Sequence, residues 1–299
     1  MRKFLGKLIF FLFIFILIDI AAGIFMSYVN NHTMKGDYGR NNYICSSVDK
    51  DILIFGSSRA IHHYNTKIIS ENLHKTCYNC GQDGMGIICS YGRYSLIKQR
   101  YKPQLIVCDI EVAYDVLKDD NTRYLGFLRP YYGHDVIDSI FNKVSENEKY
   151  KMLSNIYRYN SRWLDIVAQF RSESKVFAKE YTYSPLKGTL RYEPKKYVFH
   201  TDKDCDSLKL YYLEKLIQDC RANGTKIAFV ISPVYGETSN HLFKPFTDIC
   251  KEYNIPLLDH FADSRFTHDR KLFKDKKHLN ERGATQFSEL IASELEKLL

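Results

Sequence analysis

The sequence predicts an α/β protein, a three-layer α/β/α sandwich around a parallel sheet, behind one N-terminal transmembrane helix. Three observations carry this. Short apolar runs that stop at glycine or polar residues alternate with segments of helical period. A basic tip precedes a long apolar stretch at the front of the chain. A chain of 299 residues, 45% hydrophobic and 26% charged, is long enough for one large core with an inserted segment.

The elements follow in order. Arg2, Lys3 and Lys7 precede an unbroken apolar run from Leu8 to Ile18, and apolar character continues past Asp19 to about Val29. A bilayer needs about 20 such residues. Ala21-Ala22-Gly23 resembles a cleavage site, but Ile24, Phe25 and Met26 keep the chain apolar beyond it, which favours an uncleaved signal anchor over a secretory signal. The basic tip then stays in the cytoplasm and everything after Tyr28 lies outside. Residues 30–50 are polar and aperiodic and read as a tether, so the expected organisation is anchor 1–29, tether 30–50 and an α/β domain over 51–299.

Within that domain, Asp51–Phe55, Cys77–Cys80 and Leu105–Ile110 read as buried strands, with helical segments over 64–74 and 87–99 between them. From about 114 to 204 the pattern changes to a Tyr-, Arg- and Lys-rich insertion, expected at the sheet's edge or over its mouth. Alternation returns with a helix over 207–220, a strand over 226–233, a helix over 241–253 and a strand over 256–259. The C-terminal helix from Glu281 carries Phe287, Leu290, Ile291, Leu295 and Leu298 near helical spacing.

Composition excludes some functions. The net charge of +8 comes from Lys and Arg spread along the chain with no basic–aromatic stripe, which argues against nucleic-acid binding. Cys77-Tyr-Asn-Cys80 has no second such pair, so no zinc ribbon is expected, and the other cysteines fall in apolar patterns as small hydrophobes. No metal or cofactor is implied.

The chemistry concentrates at two places. Ser58 follows the first strand in Gly56-Ser57-Ser58-Arg59, and Asp275 and His278 stand three apart just before the last helix. A hydroxyl, an imidazole and a carboxylate are the parts that make a serine nucleophilic. Each has a plainer reading: Ser58 and Asp275 as helix caps, His278 as a surface histidine. Arg59 is either a site for a substrate carboxylate or phosphate or a structural salt bridge. His62 and His63 read as surface or lid residues.

These blocks, in this order, resemble the SGNH (GDSL-type) hydrolases over about residues 50–110 and 205–299. The resemblance implies the flavodoxin-like form of the sandwich, with Ser58 as nucleophile, Asp275 and His278 as its partners, and the N–H groups of Ser58 and Gly84 (Gly81 as alternate) as oxyanion donors. Leu279-Asn280-x-x-Gly283-Ala284 extends the match. The chain departs from the family pattern at the third block, where Cys108-Asp109-Ile-Glu111 stands in place of Gly-x-Asn-Asp. An ionised carboxylate cannot donate to an oxyanion as the asparagine would.

Membrane-anchored relatives with the variant opening Gly-x-Ser-Arg or a divergent middle act on cell-envelope polymers. The resemblance therefore implies a serine esterase or O-acyltransferase for acyl esters, above all acetyl esters, of envelope carbohydrate. The implied partners are that acylated polymer, the membrane and a membrane acyl-donor protein. The competing readings are a non-catalytic SGNH-like binding or scaffold protein and an anchored lipase or thioesterase.

Overall fold

The computed structural model describes residues 1–160, 162–172, 178–180, 183–193, 205–237, 239 and 241–299. By its contacts the chain divides into two units. One holds residues 48–124 and 181–299, and the other holds residues 1–47 and 125–180.

The first unit is built on five parallel strands: β1 (Ile52–Phe55), β2 (Cys77–Asn79), β3 (Leu105–Asp109), β4 (Lys226–Ile231) and β5 (Leu257–Asp259). Their order is β2-β1-β3-β4-β5, the flavodoxin-like doubly wound arrangement. Register runs from Ile52 opposite Leu105 to Asp109 opposite Val230. β1 and β3 are buried along their whole length, so they read as continuous apolar runs with no polar alternation.

One face of the sheet presents Ile52, Ile54, Leu105, Val107, Ala228 and Val230. These pack against Ala60 of α3 (Ser58–His63), Ile69 of α4 (Thr66–Leu73) and a stripe of the C-terminal helix containing Phe287, Ile291 and Leu295. The intervening strand residues point to the opposite face by the two-residue period. There α5 (Ile87–Ile97) meets α6 (Ser207–Asn223) through Tyr91 and Tyr212, and Phe229 meets Phe246 of α7 (Lys244–Glu252) edge to face. The last helix, α8, runs from Glu281 to Glu296.

The second unit is helical. α1 (Arg2–Asn31) is long and apolar enough to cross a membrane. α2 (Gly36–Ser46) lies in the segment expected as a tether and buries Tyr38, Arg40, Asn41, Ile44 and Cys45. Two of these five residues, Arg40 and Asn41, are polar, so the sequence shows no apolar stripe there. The expected insertion is likewise divided: residues 125–180 group with the N-terminal helices, while 114–124 and 183–193 group with the sheet. Residues 161, 173–177, 181–182 and 194–204 of that insertion lie outside the described residues.

Candidate active site

Ser58 is placed by the end of β1. Gly56 has φ +141°, and a Cβ there would stand 2.6 Å from the Asp109 carbonyl oxygen and 2.9 Å from Ala60 Cβ. Only glycine lets β1 close on β3 at that point and turn directly into α3. Ser57 then occupies the N-cap position, but its hydroxyl donates to Glu111 Oε2 at 2.8 Å and leaves the cap unfilled. Ser58 is the first helical residue, where backbone N–H groups have no intrahelical acceptor.

The Ser58 hydroxyl lies 2.8 Å from His278 Nε2, and His278 Nδ1 lies 3.0 Å from both Asp275 oxygens. An acceptor at Nδ1 fixes the proton there and leaves Nε2 as the free base. Asp275 Oδ1 also accepts the backbone N–H groups of Lys277 at 2.8 Å and His278 at 3.0 Å. Burial alone would raise the Asp275 carboxyl; the hydrogen bond and charge of His278, with these backbone donors, hold it below the ordinary carboxylate range.

The loop that carries the pair is tied at both ends. Phe273 and Leu279 form an antiparallel bridge, and Lys274 N–H donates to the His278 carbonyl at 2.8 Å. Asn280 caps α8 by accepting the Gly283 N–H at 3.0 Å, and its amide donates to the Lys271 and Gly188 carbonyls. A Cβ on Gly283 would stand 2.2 Å from the Leu272 carbonyl oxygen, so the Asn-x-x-Gly spacing serves this close packing.

His63, expected as a surface or lid residue, is fully buried, and its Nε2 accepts the Leu279 N–H at 3.0 Å. Burial first, then the neighbouring His278, Arg59 and His62, hold it well below the ordinary histidine range, so it supports the loop as a neutral ring. His62 stands one helical turn after Ser58, on the same face of α3. Its ring is bounded by the Ser184 carbonyl at 2.6 Å and Asp83 at 3.4 Å, and its centroid is 5.8 Å from that of His278. Burial opposes its charge, but Asp83 and Ser184 outweigh that and raise its pKa. The one sequence signal that places His62 beside the site is its four-residue spacing from Ser58, which its reading as a surface or lid residue leaves unused.

The third block holds no donor in place of asparagine. Asp109 is buried, accepts the Tyr64 hydroxyl at 2.6 Å and the Ser232 hydroxyl, and faces Arg59 Nε at 3.3 Å. Glu111 faces Arg59 Nε at 3.9 Å and Lys277 Nζ at 3.2 Å. Burial would raise Glu111, yet Arg59, Lys277 and the Ser57 hydroxyl hold it below its ordinary value. Arg59, only 2% exposed, also donates to the Ile110 and Ser232 carbonyls. The structure therefore turns Arg59 inward, onto the carboxylates of the third strand, and not toward a solvent-borne anion.

Of the two glycines after β2, Gly81 donates its N–H to Asn79 Oδ1 at 2.9 Å, and its Cβ position is filled by Ala60 and Ile61. Gly84 is half-buried with φ +67°, and the nearest side chain to its Cβ position is Arg123 at 3.7 Å. Among the described residues no cluster of His, Cys, Asp or Glu is arranged to hold a metal ion.

No family model matches the chain, and no curated protein matches it. Solved structures similar to it include a protein described as lipolytic and of the G-D-S-L family from Desulfitobacterium hafniense DCB-2, at 8% identity and TM-score 0.42, covering 83% of this chain and 98% of that one. TesA is similar at 11% identity and TM-score 0.45, with 83% and 99% covered. The acetyl xylan esterase AlAXEase is similar at 13% identity and TM-score 0.41, again with 83% and 99% covered.

Proposed function

We propose that the chain is an SGNH-type serine esterase or O-acyltransferase, anchored in the cell membrane by α1, that acts on acyl esters of envelope carbohydrate. The observation that carries this reading is the continuous relay from Ser58 Oγ through His278 to Asp275, at 2.8 and 3.0 Å. Its three residues are 220 positions apart in sequence at the extremes, and a cap or a surface histidine needs no such meeting.

Ser58 Oγ attacks the ester carbonyl carbon while His278 Nε2 takes its proton. Asp275 keeps the ring oriented and stabilises its cationic form. The developing oxyanion faces the N–H of Ser58 and that of Gly84; Gly81 has already committed its own to Asn79. Collapse returns the His278 proton to the departing sugar oxygen and leaves an acyl-serine. Water then attacks in hydrolysis, or a sugar hydroxyl in transfer, again giving its proton to His278. Glu111 organises the N-cap serine and Lys277, and so plays no donor role in this scheme.

The anchor and the Gly56-Ser57-Ser58-Arg59 opening support an envelope substrate. The test is acetate release from acetylated envelope polysaccharide by the purified full chain, with Ser58→Ala as control. No release, with no exchange of acyl groups between sugars, would sink the reading. Polymer acetylation in cells carrying Ser58→Ala gives the direction: a loss of acetyl groups means transfer, an excess means hydrolysis.

A further inference from the structure

The apolar run Leu8–Ile18 supplies eleven helical residues, about 16 Å of rise against a hydrocarbon core of about 30 Å. A span beginning at Leu8 therefore continues to about residue 27, and one beginning at Phe4 still passes Asp19. The buried stripe of α1 is Asp19, Gly23, Met26, Val29 and Asn30, so the described residues cover the anchor only along its second half. The cover near Asp19 and Gly23 comes from the short helix Asn155–Arg158.

The contact is specific. Asp19 Oδ1 accepts the Ser154 hydroxyl at 2.6 Å and the Ile156 N–H at 3.0 Å, and Oδ2 accepts the Asn155 N–H at 2.7 Å and its amide at 3.0 Å. A carboxylate inside a membrane span is costly unless paired, and here it caps a helix of the inserted segment. A Cβ on Gly23 would lie 2.3 Å from Asn155 Cβ, so the two backbones meet at close range. A segment that touches α1 at these depths must itself lie below the membrane surface.

Its exposed side chains agree. Tyr150, Leu153, Ile156, Trp163, Leu164 and Phe170 stand in the open, Leu153 at 78%. Trp163, Leu164 and Phe170 share one arc of about 120° on their helix, beside the buried Ile166. Basic side chains border them: Lys149 lies over the Tyr150 ring at 4.9 Å, and Arg129 over Tyr157 at 4.9 Å. Aromatic rings mixed with Lys and Arg are the composition of a membrane–water interface.

We propose that residues 148–160 and 162–171 form a collar embedded in the lipid leaflet at the C-terminal end of α1, latched to the anchor by Asp19. This rests on the reading of α1 as a membrane span and goes beyond the enzymatic reading. The collar's apolar arc continues the lipid-facing surface of α1, and its occupant is the lipid of that leaflet.

Trp163 is the chain's one tryptophan, so emission excited at the red edge, beyond the absorption of the 23 tyrosines, reports on it alone. The full chain is reconstituted into phosphatidylcholine vesicles, with and without lipid brominated near the top of its acyl chains. A ring about 5–10 Å below the headgroups is expected to lose at least half of its emission to bromolipid and to resist iodide. Vesicle-bound protein quenched by iodide and not by bromolipid would overturn the collar. Asp19→Leu keeps the anchor apolar but removes the latch; bromolipid quenching is expected to fall and iodide quenching to rise while the chain still floats with vesicles. Unchanged quenching in D19L would overturn the latch. Failure of the wild-type chain to float would overturn the anchor and the collar together, while serine labelling would still report on the enzyme.

Discussion

Replacing Asp275 with asparagine isolates the carboxylate's part in the relay. In the native loop, Oδ1 is held by the backbone N–H groups of Lys277 and His278, at 2.8 and 3.0 Å. Those donors also hold the carbonyl oxygen of an asparagine, which forces its amide nitrogen into the place of Oδ2, the oxygen 3.0 Å from His278 Nδ1. The amide N–H then competes for Nδ1 with the carbonyl oxygen, which also lies 3.0 Å away, so the ring proton is no longer fixed at Nδ1. The tautomer protonated on Nε2, which has no base facing Ser58, becomes populated. The same exchange in a buried triad costs about 10⁴ in kcat. The Asp275 side chain is 54% exposed, so water shares its role. The expected loss is about 10³-fold, or roughly 4 kcal/mol of transition-state stabilisation. The assay is kcat on an activated acetyl ester, with the melting temperature as the control for folding. A folded D275N chain that retains activity within about tenfold of wild type would refute the relay.

Three further outcomes are expected. Arg59→Leu leaves Asp109 and Glu111 without their buried cation and should cost about 3–5 kcal/mol, seen in chemical unfolding; a loss below about 1 kcal/mol would contradict the inward pairing. Gly56→Ala must place a Cβ against the Asp109 carbonyl at φ +141°. It should destabilise by roughly 2–5 kcal/mol and lower the yield of folded protein, whereas a stable, active variant would show that the turn relaxes. Asp263 caps the short helix Ser264–Thr267 and binds His260 and Arg265. Burial raises its carboxyl, but Arg265 and His260 bring it down from 3.8 to about 2. Because the folded value is the lower one, its contribution is complete above about pH 4 and vanishes as pH falls to about 2. Asp263→Asn should therefore lower stability by about 2 kcal/mol at neutral pH and flatten acid unfolding in that window; an unchanged acid limb would contradict it.

Local pattern carried much of this fold. β1, β3 and β4 are short runs buried on both faces, and their abrupt ends at Gly56, Ile110 and Ser232 mark where polar side chains gather. The meeting of Ser58 with His278 follows from that layout, because β1 ends beside β3 at the sheet's carboxyl edge and the loop before α8 returns there. What stayed hidden depends on distant partners. Arg59 reads equally as a substrate anchor or a buried ion until Asp109 and Glu111 are seen around it. His63 is indistinguishable in sequence from His62, yet one faces the Leu279 N–H in the interior and the other faces Ser184 and Asp83. The middle segment divided between units because Asp19 caps a helix 135 residues later, a link that no hydrophobic period records.

The central claim is that Ser58 is the nucleophile and that His278 activates it. Its most direct measurement is mass spectrometry of the full chain after treatment with a serine-directed fluorophosphonate, with the adduct mapped by peptide. The expected result is one adduct on Ser58 in the wild-type chain, lost in Ser58→Ala and strongly slowed in His278→Ala. An unlabelled Ser58 in folded protein, or labelling that proceeds at the same rate without His278, would contradict it.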